Sequence, residues 1–327
     1  MTASPSQFPT LTGIRSAARL LAQPFAPSPL YRCEQLSAWL EADVWLKVES
    51  ANPIASFKGR GATTAIARAT TGGGITEIVT SSTGNHGQGV ALAGRLLGVA
   101  CHVFMPAAPN PVKLAMIESL GAVVHKIGDD LDYTKAIALE FAAERGSLFV
   151  DDGEDVNVME GAGTVGLEIA EALPAIDHVF LPMGSGTFAS GCATALKALH
   201  PEVRVTAVQS EQAPAMAASF AAGRAVERPA RSIADGLECR VPARLALACV
   251  LALIDEVITV PDAELLRAVR SLLEVQHLVA EPAGAAALAG AATRREQVRG
   301  QSVVLVCSGA NLTPALLARA MSAPGLL

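Results

Sequence analysis

Ser56-Phe57-Lys58-Gly59-Arg60-Gly61-Ala62 places a lysine between a strand-like run at 44–49 and a helix-compatible run at 62–69. A lysine held at such a junction is partly desolvated, which favours the neutral amine and makes it a nucleophile or a base. Read alone, it is equally a surface lysine in a turn.

Three further loops carry groups of the right kind, each predicted at a strand end, where open α/β sheets place their ligands. Ser81-Ser82-Thr83-Gly84-Asn85-His86-Gly87 runs from a strand into a helix and offers hydroxyls and backbone amides, a cradle for a carboxylate. Without a ligand the same residues make an ordinary helix cap, and His86 by itself reads as structural. Gly184-Ser185-Gly186-Thr187 again joins a strand to a helix. Its small residues let backbone N–H groups close on an anion such as phosphate. It lacks the spacing of a dinucleotide fingerprint or a P-loop. The fourth loop sets Ser308 after the run 302–307.

The elements that must position these loops are short apolar runs at 77–81, 100–105, 122–127, 147–150, 178–183, 203–209 and 302–307. They alternate with helix-compatible stretches at 88–97, 112–120, 133–144 and 263–273. Continuous rather than alternating apolar runs fit parallel strands covered on both faces. The α/β alternation predicts open, mostly parallel, doubly wound sheets flanked by helices. Residues 210–242, punctuated by Pro214, Pro229 and Pro242, are predicted to wrap the surface.

Composition narrows the function classes. The 327 residues are 51% hydrophobic and 17% charged with a net charge of -6. That supports a large core and, without basic patches, argues against nucleic acid. Apolar runs fall well short of the roughly 20 residues of a spanning helix. Residues 1–10 show no secretory signal. The six cysteines form no C-x-x-C pair and read as buried thiols of a cytoplasmic protein.

Taken together, the loops offer a lysine for an aldehyde, a cup for a phosphate and a hydroxyl for a heteroaromatic nitrogen. Pyridoxal 5'-phosphate carries all three, leaving residues 81–86 for an amino-acid carboxylate. The motifs S-F-K-G-R-G-A at 56–62, S-S-T-G-N-H-G-Q-G-V-A at 81–91, G-S-G-T at 184–187, A-D-G at 234–236, E-P-A-G-A at 281–285 and S-G-A-N at 308–311 resemble those of fold-type II pyridoxal phosphate enzymes. The similarity is to the serine/threonine dehydratase (ammonia-lyase) and serine racemase group.

The resemblance implies a two-domain, tryptophan synthase β-like fold: a large domain of residues 1–59 and 158–327, and a small mobile domain of 60–157. It implies that Lys58 forms the Schiff base and takes the substrate Cα proton, with Phe57 beside the cofactor and Asn85 bonded to its ring oxygen. Gly184, Ser185, Gly186 and Thr187 would hold the phosphate and Ser308 the pyridine nitrogen. Ser82, Thr83, Gly84, Asn85 and His86 would bind the substrate carboxylate. The implied reaction removes water from a β-hydroxy amino acid, giving a 2-oxo acid and ammonia, in a homodimeric enzyme without membrane or nucleic-acid partners.

Three departures from the group bear on the subgroup. The phosphate loop also resembles those of threonine and cysteine synthases. Thr83, where related racemases have a serine, keeps a hydroxyl for acid–base work. Gln209 and Ala215 stand where several relatives have acidic cation ligands, so no metal is expected there, with Glu211 as a shifted ligand the alternative. Racemisation and threonine-synthase-like β/γ-replacement are the alternative reactions, and a non-catalytic vitamin B6 carrier is the remote one.

Overall fold

Strands buried on both faces need apolar residues at successive positions, and the strand Ser302–Cys307 shows why. Val304 and Val306 point into one core, while Val303, Leu305 and Cys307 point into the other. The computed structural model describes residues 8–23, 25–129 and 131–327. The first seven residues of the 1–10 segment read above for a secretory signal lie outside the described residues.

Among the described residues ten strands form two sheets. In chain order they are β1 (Leu30–Arg32), β2 (Asp43–Val48), β3 (Glu77–Ser81), β4 (Ala100–Met105), β5 (Val123–Lys126), β6 (Leu148–Phe149), β7 (His178–Pro182), β8 (Arg204–Ser210), β9 (Glu256–Val260) and β10 (Ser302–Cys307). A six-stranded sheet runs β1-β2-β10-β7-β8-β9, and a four-stranded sheet runs β5-β4-β3-β6. All pairings are parallel except β1 with β2. This is the predicted open α/β architecture.

One face of the large sheet packs on the helices Val156–Ala172, Thr187–Leu199 and Arg244–Leu253; the other packs on Asp262–Gln276 and Ala286–Thr293. The small sheet lies between the helices Lys58–Thr70, Asn85–Leu97 and Pro111–Ser119 on one side and Leu131–Arg145 on the other. Fully burying each large apolar side chain contributes about 1.5–3 kcal/mol, which is why both faces of both sheets are covered. Glycines make the closest helix contact possible: a methyl on Gly191 would overlap the Met159 carbonyl.

Several boundaries differ from expectation. β1 and β9 are edge strands that apolar runs do not mark. A 3-10 turn, Glu49–Ala51, separates β2 from the lysine segment, and Lys58 is itself the first helical residue. The helix expected over 88–97 starts at Asn85. Residues 210–242 do not simply wrap the surface. They hold the helix Ala215–Ala222 and bury Met216, Ala234 and Leu237, because the 234–237 turn closes over the phosphate-loop candidate. Five cysteines are buried and Cys239 is half-buried; all six are free thiols.

Candidate active site

Three helices begin at one cavity, and none has a side chain capping its N-terminus: Lys58–Thr70, Asn85–Leu97 and Thr187–Leu199. Uncapped helix starts leave backbone N–H groups without partners and carry partial positive charge, so they attract anions. The cavity, about 260 Å³, lies where the C-terminal ends of β3 and β6 in the small sheet face those of β7 and β10 in the large one. Phe57, Lys58, residues 82–86 and 184–186, and Ser308 all line it. The four loops singled out in the sequence therefore meet at one place.

Around Lys58 the segment is fixed by the neighbouring strand end. The Phe57 amide donates to the Ser308 carbonyl at 3.2 Å, and Ser56 pairs with Gly309. Phe57 packs against Phe188 with ring centroids 4.1 Å apart, and the Lys58 ammonium sits 5.2 Å from the Phe57 centroid. Lys58 Nζ donates to Asp152 Oδ2. Burial works to raise the Asp152 pKa, but the Lys58 ammonium, with hydrogen bonds from Lys58 and Thr187, outweighs it and holds the carboxyl below its ordinary range. Its second oxygen, Oδ1, is buried with no hydrogen-bond partner.

At the phosphate-loop candidate, Gly186 adopts φ +94°, a conformation that favours glycine. A Cβ on Gly184 would stand 2.6 Å from the Gly236 carbonyl. Only glycine lets the 234–237 turn close on this loop. Thr187 is set back from the cavity, 1% exposed, and accepts from the Ser185 hydroxyl at 3.2 Å.

Across the cavity, Asn311 Nδ2 donates to the Asn85 side-chain oxygen at 2.9 Å, which turns the Asn85 amide group to donate to Glu281 Oε1 at 2.6 Å. Lys113 Nζ donates to Asp235 Oδ2 at 2.5 Å and lies 3.6 Å from Glu281 Oε2. Burial pushes the Glu281 carboxyl up to about 7 against the pull of Lys113. His86 is buried, which lowers its pKa, and its neutral ring bonds through Nε2 to the Val150 carbonyl at 3.2 Å. With that ring N–H spent on Val150, His86 offers a carboxylate its backbone N–H.

Among the cavity residues with no role assigned from the sequence are Lys113, Asp151, Asp152, Asp235 and Glu281. Asp235 and Glu281 lie inside quoted motifs. Asp151 and Asp152 follow the end of β6, a position that itself marks ligand-binding loops. Lys113 carries no such signal, because nothing local distinguishes it from a solvated helix lysine. At the candidate cation position, Gln209 is buried and its carboxamide oxygen accepts from the Ala217 amide at 3.0 Å, while Glu211 is exposed. No group of three His, Cys, Asp or Glu among the described residues is placed to hold a metal.

The donor set fits a phosphorylated aldehyde with a heteroaromatic ring. The 184–186 turn and its uncapped helix present backbone N–H groups to the cavity as an anion cup, and a Cβ at Gly184 or Gly186 would push the turn against Gly236 or Met216 and Val250. A lysine reaches into the same space, and Ser308 lies buried at the end of β10.

Comparison with known proteins agrees. The family model described as "Pyridoxal-phosphate dependent enzyme" matches residues 21–309. The L-threonine ammonia-lyase of Thermotoga maritima is 36% identical over 304 residues, 93% of this chain and 76% of that protein. Among solved structures, the processed form of threonine deaminase isoform 2 from Solanum lycopersicum superposes with a TM-score of 0.89 at 28% identity, covering 99% of this chain and 97% of that one. Maize serine racemase does so with 0.89 at 27% identity, covering 96% and 97%.

Proposed function

The chain belongs to the pyridoxal-phosphate dependent enzymes, and from that premise we propose that it removes water from a β-hydroxy amino acid, yielding a 2-oxo acid and ammonia. Its cofactor is pyridoxal 5'-phosphate. The observation that carries the reading is the lysine set in one cavity with two further uncapped helix starts, one for each anion of a cofactor–amino-acid pair.

Joined to an amino acid, the cofactor draws electrons from Cα and weakens its C–H bond. The chain supplies the rest. Lys58 Nζ carries the cofactor and later takes the Cα proton. Amides of Gly184, Ser185 and Gly186 hold the phosphate, with Thr187 supporting the loop from behind. Ser308 would face the ring nitrogen, and a neutral hydroxyl cannot hold that nitrogen protonated as a carboxylate would; the weaker electron withdrawal suits fast departure of the β-substituent. Phe57 walls the cofactor, and Asn85, oriented by Asn311, bonds its ring oxygen. Ser82, Thr83, Gly84, Asn85 and His86 bind the substrate carboxylate, chiefly through amides of the helix start. The Cα proton goes to Lys58, the hydroxyl leaves with its bonding pair and a proton as water, and hydrolysis of the remaining enamine returns that water as oxo acid and ammonia.

The substrate is of the threonine and serine class, supported by the relatives named above; 3-hydroxyaspartate and phenylserine share the atoms these residues contact. Racemisation is the second reading, because the Thr83 hydroxyl lines the same cavity as Lys58. Residues 60–157 move as a small domain against the remainder and close the cavity to water. The family resemblance implies a homodimer, and the six free cysteines fit a reducing compartment such as the cytoplasm.

The test incubates the cofactor-loaded protein with both enantiomers of β-hydroxy amino acids and measures ammonia, oxo acid and enantiomer together. Equal ammonia and oxo acid are expected from one substrate. Enantiomer exchange without ammonia would make it a racemase, and silence across the panel would favour a synthase or carrier.

A further inference from the structure

The Lys58–Asp152 ion pair has no place in the assignments above. Both side chains are mostly shielded, with 15% and 22% of their surface exposed, and both line the cavity. Asp152 follows the end of β6 in the small sheet, and Lys58, 94 positions earlier, opens a helix packed on one face of that sheet. The Lys135 ammonium is taken by the adjacent Asp151 at 2.8 Å. Lys113 is taken by Asp235 and Glu281. Lys58 is thus the cation that pairs with Asp152, with the Thr187 hydroxyl as a further neutral partner, and Asp152 Oδ1 is buried.

We propose that Asp152 is a positioning residue for Lys58 as the proton carrier. This rests on the reading that Lys58 takes the Cα proton. Lys58 is a free amine whenever the substrate, rather than the lysine, is joined to the cofactor. A flexible four-carbon side chain then has many rotamers, and proton transfer needs Nζ at Cα. Asp152 accepts one N–H of the amine and so aims the nitrogen lone pair. That lone pair forms the new N–H bond as the Cα–H bond breaks, and the C–H electron pair stays with the substrate. Lys58 becomes an ammonium beside a carboxylate, in a site where an unpaired charge is costly. The proton then returns to Cα or leaves with the departing hydroxyl. In the resting pair the Lys58 ammonium favours the ionised carboxyl.

The test uses Asp152→Asn, which keeps the shape and removes the charge, and Asp152→Glu, which keeps the charge and moves it by a methylene. Loaded enzyme is mixed with 2-aminobutyrate in deuterium oxide, and loss of the Cα proton is followed by NMR. This amino acid has no β-hydroxyl, so exchange is read whether or not the protein eliminates water. The Asn variant is expected to exchange about a hundredfold more slowly, with a substrate concentration at half-rate within about threefold of wild type. The Glu variant is expected to recover part of the loss. Cofactor affinity, from titration of the visible band into cofactor-free protein, is expected to be unchanged in both. Exchange within about twofold of wild type in the Asn variant would overturn the proposal. So would a loss explained by weakened cofactor binding, because Asp152 would then act through the cofactor site and not through the aim of Lys58. Wild-type exchange without oxo acid from any β-hydroxy amino acid would sink the ammonia-lyase reading and leave this proposal standing.

Discussion

Replacing Arg60 by methionine is expected to destabilise the protein by about 3–5 kcal/mol, the usual cost of removing one partner from a buried ion pair. Arg60 is two positions after Lys58 on the same helix and is 1% exposed. Its guanidinium forks onto Glu49, with Nε to Oε2 at 2.8 Å and Nη2 to Oε1 at 3.0 Å. It also reaches Glu168 Oε1 at 2.5 Å and Thr164 at 3.1 Å. Glu168 is shared with Lys47 at 2.5 Å, so the cluster holds two cations and two anions. Burial opposes the charge on Arg60, yet the two carboxylates outweigh it. Without Arg60, Glu49, fully buried, keeps only the neutral donors Ser28 and Asn52. Urea unfolding of the cofactor-free protein, followed by tryptophan fluorescence and far-UV circular dichroism, measures the loss. Adding Glu49→Gln leaves one cation and one anion, and is expected to return about 1–3 kcal/mol as the coupling energy of neighbours in one network. A loss below about 1 kcal/mol, the value of an exposed pair, would refute the reasoning. A double variant as unstable as the sum of the singles would do the same.

Gly191→Ala should cost about 1–3 kcal/mol or more in unfolding free energy, since the new methyl overlaps the Met159 carbonyl and forces two helices apart; unchanged stability would show that the contact yields freely. The Glu281 carboxyl holds its proton up to about pH 7 when folded but only to about 4.5 when unfolded. Its contribution to stability is therefore full below pH 4.5 and falls by about 3 kcal/mol as pH rises through 7. Glu281→Gln does not titrate, so its stability relative to wild type should improve from pH 5 to pH 8, and parallel pH curves would contradict the burial argument. Ser308→Asp places a carboxylate where Ser308 lines the cavity. It should favour the protonated ring nitrogen and raise racemisation relative to elimination; an unchanged product ratio would remove Ser308 from that role.

The architecture was legible because strands covered on both faces must be apolar at successive positions, as Val303 to Cys307 are. β9 escaped because an edge strand tolerates Glu256 and a half-exposed face. β1 is three residues long, too short to carry a pattern. The lysine, the glycine loop and Ser308 could be read as local motifs. The ionic partners could not, because Lys113 and Asp235 stand 122 positions apart and Asn85 and Glu281 stand 196 apart. Such pairings exist only once the two sheets face each other. Asp152 is the instructive case: its position after a strand end was visible, while its pairing with Lys58, 94 positions earlier, exists only once that helix packs on the small sheet.

The most direct measurement is borohydride reduction of the cofactor-loaded protein, followed by digestion and mass spectrometry of the modified peptide. The account expects a phosphopyridoxyl group on Lys58, lost in Lys58→Ala together with the visible band and all production of oxo acid. A label on Lys113, Lys135 or another lysine, or turnover that survives the loss of Lys58, would contradict it.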